Sequence, residues 1–419
     1  MKRLSHNLLM ISGLLVASSA TAADWKQYRG PGGLGTSHET GLPVKWSSDV
    51  NVAWRTELPG PGTSSPIVLG DRVYLTCYTS YGLKPNEGDK NDLMRHMVCV
   101  HRKTGKILWR RDFTPQQPES TYSAGNDSQH GYSSSTPTTD GRRLYVFFGK
   151  SGLYCLDLQG KQLWHASVGS GVHGWGSSNS PVLYKELVIV NASVESRSLV
   201  ALNKLTGKEV WRVGGIRSSW NTPLLVDLPE GGTELVVSES KTVLSFDPGT
   251  GKELWRVGGF GRYVCPSVVA HKGIVHAVRD GSVAIRAGGR GDVTDSRVAW
   301  RIGVGSLVPS PVYHNGHLYW VRGGGTAHCV DASNGEIVYR ERLSPKPGIV
   351  YASVIVADGK LYYVTQRHGV YVLAAKPKFE QLAHNVFEDD GSRTNASPVA
   401  HNGQLLMRTD RYLYCIGTK

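Results

Sequence analysis

Thr136-Pro137, Leu144-Tyr145-Val146-Phe147-Phe148, Ser151-Gly152-Leu153-Tyr154-Cys155-Leu156, Gly160-Lys161 and Leu163-Trp164 follow one another within one short stretch of the chain. Pro137 opens a first short strand. The run 144–148 is a second, rich in β-formers. Ser151-Gly152 is an accepted hairpin dipeptide leading to a third. Gly160-Lys161 turns again, into a fourth strand around Trp164. The stretch therefore predicts four short antiparallel strands, and no 3.6-residue periodicity supports a helical alternative.

The same unit recurs. Small-Pro pairs stand at Ser65-Pro66, Thr136-Pro137, Ser180-Pro181, Thr222-Pro223, Cys265-Pro266, Ser310-Pro311 and Ser397-Pro398. Tyr351-Ala352-Ser353-Val354 fits an eighth copy without its proline. Anchors at 66, 137, 181, 223, 266, 311, 353 and 398 are spaced by 71, 44, 42, 43, 45, 42 and 45 residues. A unit of this length cannot bury its own apolar face, so such a period means a stacked or ring architecture. Four strands per unit predict an all-β, eight-bladed β-propeller. The last unit ends at Tyr412–Ile416, its third strand, whereas Val52-Ala53-Trp54-Arg55 reads as a fourth strand with no blade before it. Pairing 52–56 with 412–416 closes the ring and removes two exposed edges. The expected organisation is a signal peptide over 1–22, an N-terminal extension over 23–50 and the propeller over 51–419.

Lys2-Arg3, the apolar run Leu8 to Val16 and Ala20-Thr21-Ala22 form the basic, apolar and small-residue parts of an export signal. No cysteine lies near the cut, so a lipoprotein is not expected. Localisation is thus read as periplasmic or extracellular. The chain's 40% hydrophobic and 19% charged residues exclude a disordered polar chain. After residue 22 no apolar run approaches the ~20 residues that cross a bilayer. The formal charge of +13 favours anionic surfaces or ligands.

Thr104-Gly105-Lys106 with Trp109, Thr206-Gly207-Lys208 with Trp211, and Thr250-Gly251-Lys252 with Trp255 share an ending that, with the small-Pro strand start, resembles the pyrroloquinoline-quinone-type (PQQ-like) propeller repeat. The stretch Trp25 to Pro31 is similar to the lead-in of secreted bacterial members. The resemblance implies that Trp54, Trp109, Trp164, Trp211, Trp255 and Trp300 pack between blades. It also implies one of two roles. One is quinoprotein dehydrogenase, with PQQ and calcium as cofactors. The other is binding or scaffolding, as in outer-membrane assembly factor B-like propellers. The adjacent cysteines and Cys-x-x-Cys-His haem site of the dehydrogenases are missing here, and no calcium-binding carboxylate pattern can be assigned.

Other motifs are weak. Gly169 to Gly174 matches G-x-G-x-x-G, but a strand rather than a helix follows. Glu87, Asp89 and Asp92 lack EF-hand spacing and read as a solvated acidic loop. No metal or catalytic residue is assigned. Cys99, Cys155, Cys329 and Cys415 share one third-strand position where Ala201, Ser245 and Ala284 stand in other units, so cysteine serves there as a small hydrophobe. Cys77 and Cys99 form the one disulfide candidate. Counting outward from Ser151-Gly152 in unit two sets Phe148 opposite Cys155, and by alignment Cys77 opposite Cys99.

Connections between units share one face of a propeller with the second-to-third strand hairpins. On that face fall Tyr122, Asn126, His130, Tyr132, His173, Trp175, Arg217, Trp220, Arg262, Tyr263, Tyr351, Arg393 and Asn395, with Lys150, Arg279, Arg322, Arg367 and Arg411 at hairpin ends. This predicts a basic-aromatic funnel, with Arg217, Trp220, Arg262 and Tyr263 facing the opening, for a protein or an anionic small-molecule ligand. The leading reading is an exported, non-catalytic binding propeller without a cofactor, with partners among envelope components and not nucleic acid. A PQQ-dependent oxidoreductase is the alternative, and a hydrolase or lyase on the His130/His173 face is third.

Overall fold

The computed structural model describes residues 23–83, 88–119, 131–217 and 219–418. The expected export signal, Glu87, Tyr122, Asn126 and His130 lie outside the described residues. Eight antiparallel sheets form an eight-bladed propeller. Blades 1 to 7 span 67–113, 138–166, 182–214, 224–257, 269–302, 312–342 and 355–385, each running from its innermost strand outward. Blade 8 takes three strands from 399–416 and its outermost from Val52–Glu57. That strand pairs with Tyr412–Ile416, from Val52 against Ile416 to Glu57 against Tyr412, so the two ends of the chain close the ring. Among the described residues helix is limited to three short 3-10 turns, and no helix is long and apolar enough to cross a membrane.

The small residue at each strand start has a specific task. The backbone N–H of Ser65 donates to the Thr136 hydroxyl, Thr136 to Ser180, Ser180 to Thr222, Thr222 to Ser267, Ser267 to Ser310, Ser310 to Ser353, Ser353 to Ser397, and Ser397 back to Ser65. All eight bonds measure 2.9 to 3.1 Å, and together they form a closed circle around the axis. The circle corrects two anchors. In unit five the ring residue is Ser267, not Cys265, and in unit seven Ser353 occupies the Ser position, with Val354 in place of proline. The spacings become 71, 44, 42, 45, 43, 43 and 44. The hydroxyl is the constant feature, and the proline is dispensable.

A second set of contacts joins the blades farther out. The indole N–H of Trp54, Trp109, Trp164, Trp211 and Trp300 donates to a turn carbonyl of the next blade, at Arg102, Leu158, Lys204, Pro248 and Ala332 respectively. Gly207 shows why that turn carries glycine: its φ is +70°, and a Cβ would lie 2.6 Å from the Trp164 ring. Trp255 departs from the pattern and donates to the buried Glu234 carboxylate. Beside it, Gly291–Asp292 from the long blade 5 connection adds a parallel fifth strand to blade 4.

The third-strand position occupied by cysteine is paired across the sheet with the outer aromatic. Cys99 faces Trp109, Cys155 Trp164, Ala201 Trp211, Ser245 Trp255, Ala284 Trp300, Cys329 Tyr339 and Cys415 Trp54. In blade 7 the outer residue shrinks to Ala383 and its partner grows to Val372. Cysteine is thus size-matched to an indole. All six thiols are free.

The opposition of Cys77 and Cys99 is corrected by the same register. Cys99 pairs with Tyr74, and Cys77 with His96. The two thiols lie on opposite faces of the blade, Cys77 packing toward blade 8 and Cys99 toward blade 2. The turn was centred wrongly: in unit two Tyr145 faces Cys155 around Gly149–Ser151, and in unit seven Tyr362 faces Val372.

Residues 23–50 run beneath the ring, on the face of the first-to-second strand turns. Trp25 exchanges two backbone bonds with Val68, the Thr139 N–H donates to Lys26, and Leu42 N–H donates to Asp358. Arg29, fully buried, donates to the Leu34 and Pro311 carbonyls, and burial lowers its guanidinium to about 10. Tyr28 reaches the axis, where its hydroxyl lies 3.0 Å from Ser353 Oγ.

Ser310 is buried in the circle but outside the wall of the central cavity, so water cannot replace its hydroxyl. Ser310→Ala should strand the Ser267 N–H and lower stability by about 1–3 kcal/mol. Ser310→Thr should cost less. Urea midpoints of the two variants check this, and an Ala variant as stable as wild type would remove the circle's structural role.

Candidate functional site

Above Tyr28 the axis widens into a cavity of about 270 Å³. Its wall has two tiers. The lower tier is the hydroxyl circle, of which every member except Ser310 is exposed to the cavity. The upper tier consists of the residue two places before each circle member: Thr63, Ser134, Ser178, Trp220, Cys265, Val308, Tyr351 and Asn395. Blades 1 to 3 thus contribute small hydroxylated residues, and blades 4 to 7 contribute Trp220, Cys265, Val308 and Tyr351. Strand alternation explains the rule, since residues two apart face the same way. Cys265 is the one part-buried cysteine, yet loss of solvation pushes its thiol up to about 11, so it is a neutral wall group at pH 7. Burial likewise raises the Tyr351 phenol.

An aromatic cluster stands at the mouth. Trp220 is buried, fixed by its N–H to the Val264 carbonyl and its indole N–H to the Gly176 carbonyl at 2.8 Å. Trp175 lies 5.0 Å from it between ring centroids, His173 4.8 Å and Tyr263 6.2 Å. The Trp175 N–H donates to His173 Nδ1, and burial lowers the imidazole pKa. Trp175 is 38% exposed and Tyr263 44%, so both present ring surface to solvent. Tyr263 holds φ +55°, an unfavourable left-handed conformation for an aromatic residue, while Arg279 Nε donates to the carbonyls of Arg262 and Tyr263.

Of the expected funnel residues, Trp175, Trp220, Tyr351 and Asn395 line the cavity, and His173 and Tyr263 complete the cluster at its mouth. Tyr132 is buried behind it, edge-on to Tyr78. The cations do not join the wall. Arg217 is exposed at the rim, with its backbone N–H on Glu239 and its guanidinium 4.0 Å from that carboxylate. Arg262 is exposed, and Arg393 is paired with Asp410 at 2.9 Å. They stand four or five residues before the circle and are not part of the cavity wall. Arg217 and Arg262, expected to face the opening with Trp220 and Tyr263, are exposed and do not line the cavity. Thr63, Ser134, Ser178, Cys265 and Val308 were missed, and the signal that finds them is the two-residue offset from the circle serine.

Glu195 was also missed, because a charged residue in the hairpin after Ala192 reads as solvated. It is buried, accepts from the Ser177 hydroxyl on Oε1, and has no partner for Oε2 among the described residues. Together with His173 it lines a pocket of about 30 Å³ beside the main cavity. Desolvation raises the carboxyl from 4.5 to about 7. Between these values the folded protein keeps the proton that the unfolded chain releases. Glu195's contribution to stability is therefore full below pH 4.5 and is lost as pH rises through about 7, a fall of roughly 3 kcal/mol. Glu195→Gln should flatten this part of the profile and be the more stable form at pH 8. Denaturant midpoints from pH 4 to 8 check it; identical slopes in both proteins would refute the assignment.

No curated protein matches the sequence. Among solved structures, quinohemoprotein alcohol dehydrogenase from Comamonas testosteroni aligns with TM-score 0.67 at 13% identity, covering 96% of this chain and 82% of that one. BamB from Moraxella catarrhalis aligns with TM-score 0.57 at 14% identity, covering 88% and 98%. The computationally designed Ika8 protein aligns with TM-score 0.58 at 12% identity, covering 86% and 98%. At these identities the likeness is one of fold. The sequence profile described as outer membrane protein assembly factor BamB matches residues 94–257 and 239–413. With most of the propeller covered by that profile, the chain belongs to the PQQ-like β-propeller family of BamB.

Proposed function

We propose that this protein is an exported, non-catalytic binding propeller that receives its ligand or partner through the aromatic mouth, in the cell envelope. One observation carries the reading. The axial cavity is a cup, floored by Tyr28 and open beside Trp175, Trp220 and Tyr263. A preformed concave site with exposed aromatic anchors is the usual form of a recognition surface. A similar fold in BamB, whose family is described as an assembly factor, supports a protein partner. The rim cations Arg217 and Arg262 add long-range attraction for an acidic surface without entering the cup.

The family's quinone is the alternative. PQQ is a flat tricarboxylate bound with calcium. The indoles offer faces for its rings, but the cavity wall among the described residues carries no cation for the carboxylates and no carboxylate for the metal. The donor set does not fit, and no redox step is assigned to it.

A photo-crosslinking amino acid at Trp175 or Tyr263 should yield an adduct in intact envelope, whereas the same probe at Leu163, on an outer strand, should not. Equal labelling at all three positions, or stoichiometric PQQ retained through gel filtration after incubation with PQQ and calcium, would overturn the reading.

A further inference from the structure

We propose that an acidic peptide segment of a partner protein docks in a second depression beside the aromatic mouth, an inference that rests on the binding reading above and names the partner's chemistry. The depression, of about 580 Å³, lies where the second-to-third strand hairpin of blade 4, the connection to blade 5 and the corresponding hairpin of blade 5 meet. Lys241, Arg262 and Arg279 stand in its wall, and Asp280 is the one carboxylate there among the described residues. Phe260 and Tyr263 add apolar surface. The Tyr263 ring lies 5.4 Å from that of Trp175, so the depression is continuous with the mouth.

The protein itself fixes the frame. The Phe260 N–H donates to the Lys241 carbonyl at 3.0 Å, and the Lys241 N–H to the Gly261 carbonyl at 2.8 Å. Arg301 holds the start of the connection through the Gly258 and Gly259 carbonyls. Arg279 is half-buried, and its Nε donates to the carbonyls of Arg262 and Tyr263 at 2.9 and 3.1 Å, which orients the guanidinium. A cation pinned in this way has little freedom left to lose when a ligand binds.

The charge in the depression is unmatched. No hydrogen bond or ion pair engages the Lys241 ammonium or the Arg262 guanidinium among the described residues, and Arg279 Nη1 has no acceptor there. Glu239, on the same hairpin as Lys241, is already engaged by Arg217. Three cations gathered around one concavity favour an anionic occupant, and a carboxylate matches a guanidinium in both charge and shape. The neighbouring ring surface of Tyr263 and Phe260 suits an apolar side chain beside that carboxylate. A peptide with acidic and aromatic residues side by side carries both features. A bilayer is flat and meets the rim above the recessed Arg279. Nucleic acid draws its affinity from many phosphates along a track, which a single depression does not offer.

The probe is a fluorescently labelled Gly/Ser peptide carrying an Asp-Phe-Asp-Phe segment, titrated into the full protein by anisotropy. Control peptides carry Asn for Asp or Gly for Phe. The acidic aromatic peptide should bind saturably with Kd below about 1 mM, and each control about tenfold more weakly. Binding should weaken as salt rises. Lys241→Glu and Arg262→Gln, both at exposed positions, should each weaken it about tenfold with an unchanged melting temperature. Lys208→Glu makes the same charge change as Lys241→Glu in a turn on the opposite face, and should leave binding intact. Undiminished binding in Lys241→Glu, equal binding of either control peptide, or citrate bound as tightly as the peptide overturns the inference. So does tighter binding of phosphatidylglycerol vesicles or single-stranded DNA through the same residues. Crosslinking at Trp175 in intact envelope is independent of these titrations: an adduct there without peptide binding removes this inference alone, and the lack of an adduct removes the binding reading.

Discussion

The closed circle of eight hydroxyl-to-amide hydrogen bonds is the interaction on which the architecture depends. A backbone N–H at the start of an innermost strand has no partner within its own sheet and sits where solvent is scarce. Each blade resolves this by borrowing a hydroxyl from the next, and the last borrows from the first. Each bond contributes only about 0.5–1.5 kcal/mol net, but losing its acceptor costs more. The circle also fixes the angular step between blades, because a serine or threonine side chain spans one distance. Unit-length variation, including the 71-residue first interval, is absorbed outside it.

The outer contacts complement that inner constraint. An indole from one blade lies on a glycine turn of the next, and across its own sheet it meets a small residue. Blade 7 departs from this pairing: the outer residue is Ala383 and its partner is Val372, so no aromatic stands there and the partner position admits a larger aliphatic side chain. Strand closure through Val52–Glu57 then makes the ring cooperative, since the outermost strand of blade 8 comes from the opposite end of the sequence.

The site arises from the same geometry. Strand alternation carries one more residue of every connection to the axis, two places before the circle. These positions are free of the structural demand on the circle, and they differ from blade to blade. The lower tier is thus repetitive and structural, and the upper tier is individual and gives the cup its chemistry. The N-terminal segment adds the floor: Tyr28 meets Ser353 across 325 residues of sequence and makes a cup of what the ring alone would leave open.

Local patterns sufficed for the blade count, the four-strand unit, ring closure and the inter-blade tryptophans. Alternation, turn glycines and the repeat are all set within a few dozen residues, and an unpaired fourth strand has one place to go. The hairpin register around Cys77 was not legible, because the turn residues do not reveal where the hairpin is centred, and a shift by an odd number of residues, here from Cys77 to Tyr74 opposite Cys99, moves every partner to the other face. Nor was the separation of the arginines from the cavity, which depends on which residue of a curved connection points inward. The sequence presents Glu195, Arg217 and Trp220 alike, as polar or aromatic residues in loops. Only the ring decides that Glu195 is desolvated, Arg217 hydrated and Trp220 in the wall, because burial is set by neighbours from other blades.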